Sequence, residues 1–141
     1  TYGLLLASNI ENIAFECNTI SNHSYGGIVH WDYGPDGWSG VTFNNNNIVG
    51  NEDGVRTFGG DGSDPLPSTV DGTNNWWGAP SGPGGVGPGT GDSILVSNFT
   101  YDPYLASEAT CDAQVIPLPA AAWSGLTLLG FAGLRRRRRR A

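Results

Sequence analysis

Residues 13–31, IAFECNTISNHSYGGIVHW, and residues 41–58, VTFNNNNIVGNEDGVRTF, can be laid over one another. Phe15 then meets Phe43, Asn18 meets Asn46, Ile20 meets Ile48, and Gly27-Ile28 meets Gly54-Val55. The spacing from Phe to Gly is 12 residues in the first segment and 11 in the second. Upstream, Gly3-Leu4 has the same Gly–aliphatic form, so three such steps stand 24 and 27 residues apart. A period in this range marks a solenoid, whose units bury their apolar faces only against each other.

Inside each unit the apolar residues alternate over short runs. Ile13, Phe15 and Cys17 fall on one strand face, as do Val41 and Phe43, with Ile48 following a turn. Asparagine tolerates a left-handed backbone and bonds its own chain, which suits tight corners between strands. Composition agrees. Gly is 22 of 141 residues, Met is absent, and Lys and Gln are scarce, so long helices are not expected in the body. One more strand is expected within Ser93–Phe99.

Stacked short strands with Asn at the corners resemble the right-handed parallel β-helix family. The Asn-x-Ile pattern at strand ends, Asn18-Thr19-Ile20 and Asn46-Asn47-Ile48, is similar to that family's coils. So is NNWWGAPSGPGG, residues 74–85, since bacterial β-helix proteins often carry Asn-x-Trp-Gly and then Gly-Pro near their last coils. The resemblance covers residues 1–105 and implies an all-β solenoid. Trp76 and Trp77 are read as a cap over the last coil, with a sugar-stacking platform as the competing role. The loop WDYGPDGWSG, residues 31–40, is expected to pack its own aromatics.

The net charge of −6 hides an asymmetry. Residues 1–134 hold one base, Arg56, against thirteen acids. The other six arginines stand in one run: Arg135, Arg136, Arg137, Arg138, Arg139 and Arg140. An acidic body repels nucleic acid, so no nucleic-acid partner is expected. Glu52, Asp53, Asp61, Asp64 and Asp71 cluster loosely. Residues 59–65, GGDGSDP, look superficially like a calcium loop but lack the spacing of an EF-hand or of a Gly-rich nonapeptide repeat. No cofactor is expected, with calcium as the one metal weighed. His23 and His30 are read as surface or turn residues, because no ligand set or triad surrounds them.

Some β-helix proteins are polysaccharide lyases or hydrolases. A lyase needs cations at the uronate, and here only Arg56 is available. A hydrolase needs paired carboxylates, and nothing in the sequence brings Asp53, Asp61 and Asp64 together. A non-catalytic body is therefore expected. The rival is a lyase or glycoside hydrolase whose site lies in coils upstream of Thr1. Export would allow Cys17 and Cys111 to pair. Their separation in sequence makes a buried thiol at Cys17 and an exposed one at Cys111 the expected state.

Residues 106–114 read as a linker. Residues 115–141 then place three features in series. The first is a proline motif, Val115-Ile116-Pro117-Leu118-Pro119-Ala120; the second is an uncharged apolar run, 120–134; the third is the arginine run, Arg135–Arg140. As a helix the apolar run would be about 22 Å long, against about 30 Å for a bilayer core. Starting the apolar stretch at Pro117 and letting arginines snorkel would nearly close that gap. Such arginines, here Arg135, Arg136, Arg137, Arg138, Arg139 and Arg140, remain on the cytoplasmic side and stop transfer.

This order resembles the PEP-CTERM sorting signals of bacteria, in the variant named for Val-Pro-Leu-Pro-Ala; Ile116 is inserted here and the arginine run is long. The resemblance implies recognition by an exosortase, a membrane-embedded transpeptidase-like protease. It also implies a transient stay in the inner membrane, cleavage near the proline motif, and release or transfer to the envelope or matrix; the acidic, Asn- and Gly-rich body is separately expected to present its surface to envelope polysaccharide. An exported precursor also needs an N-terminal signal. The chain opens at Thr1 without one and reads as the C-terminal part of something longer.

Overall fold

The structure, a computed structural model, describes residues 1–7, 9–31 and 38–111. Residues 1–111 form one unit. The proline motif at 115–120 and the apolar run at 120–134 lie outside the described residues. So do the stop-transfer residues Arg135, Arg136, Arg137, Arg138, Arg139 and Arg140, the end of the expected linker, 112–114, and most of the aromatic loop, 32–37.

The described residues are all β, arranged as a parallel solenoid of about three turns. In chain order the strands are β1 (Tyr2–Leu6), β2 (Ala14–Glu16), β3 (Thr19–Ser21), β4 (Gly26–His30), β5 (Thr42–Asn44), β6 (Asn47–Val49), β7 (Val55–Thr57), β8 (Val70–Asp71), β9 (Pro83–Gly85), β10 (Gly91–Ile94) and β11 (Phe99–Thr100). They stack into three sheets, ordered β1-β4-β7-β10-β9, β11-β8-β5-β2 and β3-β6.

The register is the one the repeat implies. Leu4 pairs with Ile28 and Ile28 with Val55; Phe15 pairs with Phe43 and Ile20 with Ile48. These residues form columns through one core. The Phe15 and Phe43 rings stack at 4.7 Å, 7° from parallel. Ile28, Phe43 and Ile48 are wholly buried, and Ile20 and Val55 nearly so.

Strands this short need sharp corners, and asparagine supplies them. Asn9, Asn12, Asn22, Asn45, Asn74 and Asn98 have φ between 54° and 64°, the left-handed region that asparagine enters at small cost. The corner at Cys17 (φ 59°), Asn45 and Asn74 is followed each time by an inward asparagine: Asn18, Asn46 and Asn75. Their side chains form a ladder along the stack. Asn46 Oδ1 accepts from Asn18 N–H at 2.9 Å, and Asn75 Oδ1 accepts from Asn46 N–H at 2.8 Å. The amide of Asn46 donates to Phe15 O at 2.8 Å, and that of Asn75 to Phe43 O at 2.7 Å. Asn46 and Asn75 are fully buried, so the ladder satisfies backbone groups that turn inward where no sheet reaches.

Three expectations about strands and burial need correction. Ile13 is 41% exposed and Cys17 takes a left-handed corner, so β2 is only three residues and Phe15 alone of that trio faces the core. The strand expected at Ser93–Phe99 is divided between β10 and β11, because Asn98 turns the chain. His30 is buried in β4, with Trp38 edge-on at 4.8 Å, and is not a surface residue.

The cysteines are not separate thiols. Cys17 and Cys111 form a disulfide, with Cα atoms 5.6 Å apart. The left-handed corner leaves Cys17 exposed and pointing outward, and the chain from Tyr104 returns along the stack to meet it. Asn47 fastens that returning segment, donating to Ala109 O at 3.1 Å and accepting from Ala109 N–H at 2.7 Å. The stretch expected to begin a linker is thus held on the solenoid through Cys111.

Candidate functional site

Trp77 is fully buried; it continues the Ile20–Ile48 column and meets Phe99 edge-on at 6.1 Å. With no exposed ring face it has nothing to offer a sugar. Trp76 is half-buried beside it.

Exposed aromatic surface lies instead on the five-stranded sheet. Tyr2 opens β1, Tyr25 precedes β4, Trp31 follows β4 and Phe58 follows β7. Parallel pairing of these strands brings the rings together: Tyr2 lies opposite Gly26, and the Phe58 N–H donates to His30 O at 2.7 Å. Trp31 and Phe58 stack at 4.5 Å. Tyr2 lies 5.3 Å from Tyr25 and 6.0 Å from Phe58, and Tyr25 lies 5.8 Å from Phe58. Tyr2 is 42% exposed and Phe58 38%, with exposed Leu5 on the same strand as Tyr2.

Beneath this group sits Arg56. Its guanidinium lies 4.0 Å from the centre of the Tyr25 ring and donates to Asp53 Oδ2 at 2.8 Å. Arg56 is buried, so the pair and the ring together compensate its desolvation. The Tyr25 hydroxyl accepts from Gly59 N–H at 3.0 Å and keeps its own proton to donate.

The acids are dispersed into structural roles. Asp53 bonds Arg56 through one oxygen and accepts from Ser93 Oγ through the other. Asp61 folds onto Ser63 and Asp71 onto Thr73, and these hydrogen bonds hold both carboxyls below their ordinary range. Among the described residues no three of His, Cys, Asp and Glu come together as a metal site.

A second polar row runs along another corner. The Asn51 amide donates to Ile20 O at 2.9 Å and to Asp92 Oδ2 at 2.8 Å, and Asn51 Oδ1 accepts from His23 N–H. Asp92 also accepts from the N–H groups of Gly50 and Asn51. The two residues line a depression of about 440 Å³ with Glu52, Trp77 and Ser93.

Burial pushes the Asp92 carboxyl above its ordinary 3.8; bonds from Asn51 and Gly50 pull it down, and nearby Asp53 pushes it up. A raised folded pKa gives stability that is fully present below the unfolded value and lost as pH rises through the folded one. An Asp92→Asn variant does not titrate there. The stability of wild type relative to this variant should therefore fall as pH is raised from about 3 to about 7. The opposite contribution of Asp71 cancels in that difference. Urea unfolding across the range checks it, and a pH-independent difference would contradict the assignment.

Sequence reasoning missed the Tyr2–Tyr25–Trp31–Phe58 group although Trp31 aligns with Phe58 in the repeat, because Tyr2 and Tyr25 join that pair from positions the repeat does not align. It also missed Asn51 and Asp92, although Gly50-Asn51 and Gly91-Asp92 are a matching pair of steps. No family model, curated protein or solved structure matches this chain.

Proposed function

We propose that this chain belongs to an exported bacterial protein sorted by an exosortase. Its body is a non-catalytic, right-handed parallel β-helix that ends in the envelope or extracellular matrix, in contact with polysaccharide. The handedness follows from the general preference of parallel crossovers. The structural observation that carries the export reading is the Cys17–Cys111 disulfide, since such bonds persist in oxidising compartments and are rare in the cytosol. The sequence supplies the rest: a proline motif at 115–120, an apolar run and Arg135–Arg140, in that order. In this reading the apolar run spans the inner membrane transiently, the arginines stop transfer, and cleavage near the motif frees the body.

The test is expression of the precursor in a host that holds its exosortase. The recovered protein should lack Arg135–Arg140, which moves its formal charge from −6 to −12 as six positive charges leave. Replacing Pro117 and Pro119 with Ala should block cleavage, because the motif can then continue as helix and hide the bond from a protease that needs extended backbone. Equal processing of this variant and wild type would remove the motif's assigned role.

A further inference from the structure

We propose that Tyr2, Tyr25, Trp31 and Phe58 form a platform for the pyranose faces of a neutral polysaccharide. The proposal rests on the reading of the body as a surface that meets polysaccharide, but not on how the chain is sorted. The four rings hang on three neighbouring parallel strands, β1, β4 and β7, and so span two strand spacings, about 10 Å. Exposed aromatic surface is concentrated here: Tyr2 and Phe58 each show more than a third of their area. Packing fixes their directions, since Phe58 is stacked on Trp31 and Tyr2 is set edge-on to Tyr25. A ring held in place binds with little loss of conformational freedom. Its electron-rich face accepts the polarised C–H groups of a sugar, while the Tyr25 hydroxyl proton lies alongside for a sugar oxygen.

Charge selects among glycans. A uronate or phosphate needs a cation, and Arg56 is the sole Lys or Arg of residues 1–134. It is buried beneath Tyr25 and engaged by Asp53. With acids in excess, the body repels polyanions. Neutral sugars remain as the polysaccharides this face accepts.

The test titrates the full chain with neutral hexasaccharides (cellohexaose, maltohexaose and mannohexaose) and with hexagalacturonate, following heat and tryptophan fluorescence. At least one neutral hexasaccharide should bind at the rings; hexagalacturonate, which Arg135–Arg140 can hold, should show no binding that Phe58→Ala removes. Phe58→Ala and Tyr2→Ala should each weaken binding tenfold or more, with only a modest fall in the thermal midpoint, since each ring packs on aromatic neighbours yet is partly in water. Phe58→Trp, which keeps an aromatic face, should retain binding and guards against a misfolded alanine variant. The proposal is overturned if no neutral hexasaccharide binds, if hexagalacturonate binds in a way that Phe58→Ala weakens, or if both alanine variants retain affinity for the neutral sugar. It is equally overturned if sedimentation shows a dimer of the wild type that Phe58→Ala dissolves, because the rings would then be an interface between copies. Loss of processing with sugar binding intact would count against the sorting reading alone.

Discussion

Replacing Cys17 and Cys111 together with Ser should lower the unfolding free energy by about 4 kcal/mol, the scale for closing a loop of this length. The bond joins residues 94 apart, so most of the described solenoid lies inside the closed loop. The effect arises chiefly in the unfolded chain, which regains the freedom to separate its ends. The folded coils keep their sheets and ladders, because both cysteines are exposed and contribute nothing to the core. The returning segment keeps its two bonds to Asn47. Urea unfolding of oxidised wild type, reduced wild type and the double variant should give one high value and two equal low ones. A loss below about 1 kcal/mol would mean that the bond constrains little, since a loop this long is expected to give several times that.

Asn46→Ala should cost about 3 kcal/mol, the sum expected when two or more buried backbone groups lose their partners. The Asn46 side chain donates to Phe15 O and Asn44 O and accepts from the N–H and amide of Asn18. Asn46 itself is 0% exposed, so its alanine variant leaves the inward Phe15 and Asn44 carbonyls without the side chain that met them. Asn18, one coil earlier, is exposed, so Asn18→Ala should cost only about 1 kcal/mol, the scale of an ordinary net hydrogen bond. Chemical denaturation of the two variants side by side gives the comparison. Equal small losses would show that the ladder decorates the corners without holding them.

The coil spacing was legible in the sequence because a solenoid repeats its local chemistry. Phe15 and Phe43, Ile20 and Ile48, and Ile28 and Val55 align in the sequence and pair in the sheets. Asn18 and Asn46 align and bond. The third rung, Asn75, was less visible because tryptophan replaces isoleucine two residues later, yet Asn74-Asn75 repeats the Asn45-Asn46 step. A buried Trp77 in the isoleucine column explains the substitution: the column continues with a larger side chain.

Other features depend on contacts that no repeat encodes. Nothing near Cys111 indicates that the chain returns beside Cys17, and the polar composition of residues 106–111 reads as a linker until the Asn47–Ala109 bonds are seen. In the aromatic group Trp31 and Phe58 are repeat-aligned, but Tyr2 opens a strand and Tyr25 precedes one, so only parallel stacking brings all four rings together. His30 looks like a polar residue at a strand end, but Trp38 folds against it and closes it from water.

The proposed function requires an extracytoplasmic, disulfide-closed body that leaves its tail behind. Intact mass measurement of the protein recovered from envelope and medium, before and after reduction, tests this directly. The predicted species ends near residues 115–120, lacks Arg135–Arg140 and gains two hydrogens on reduction. A full-length chain with all six arginines and both thiols free would contradict the account.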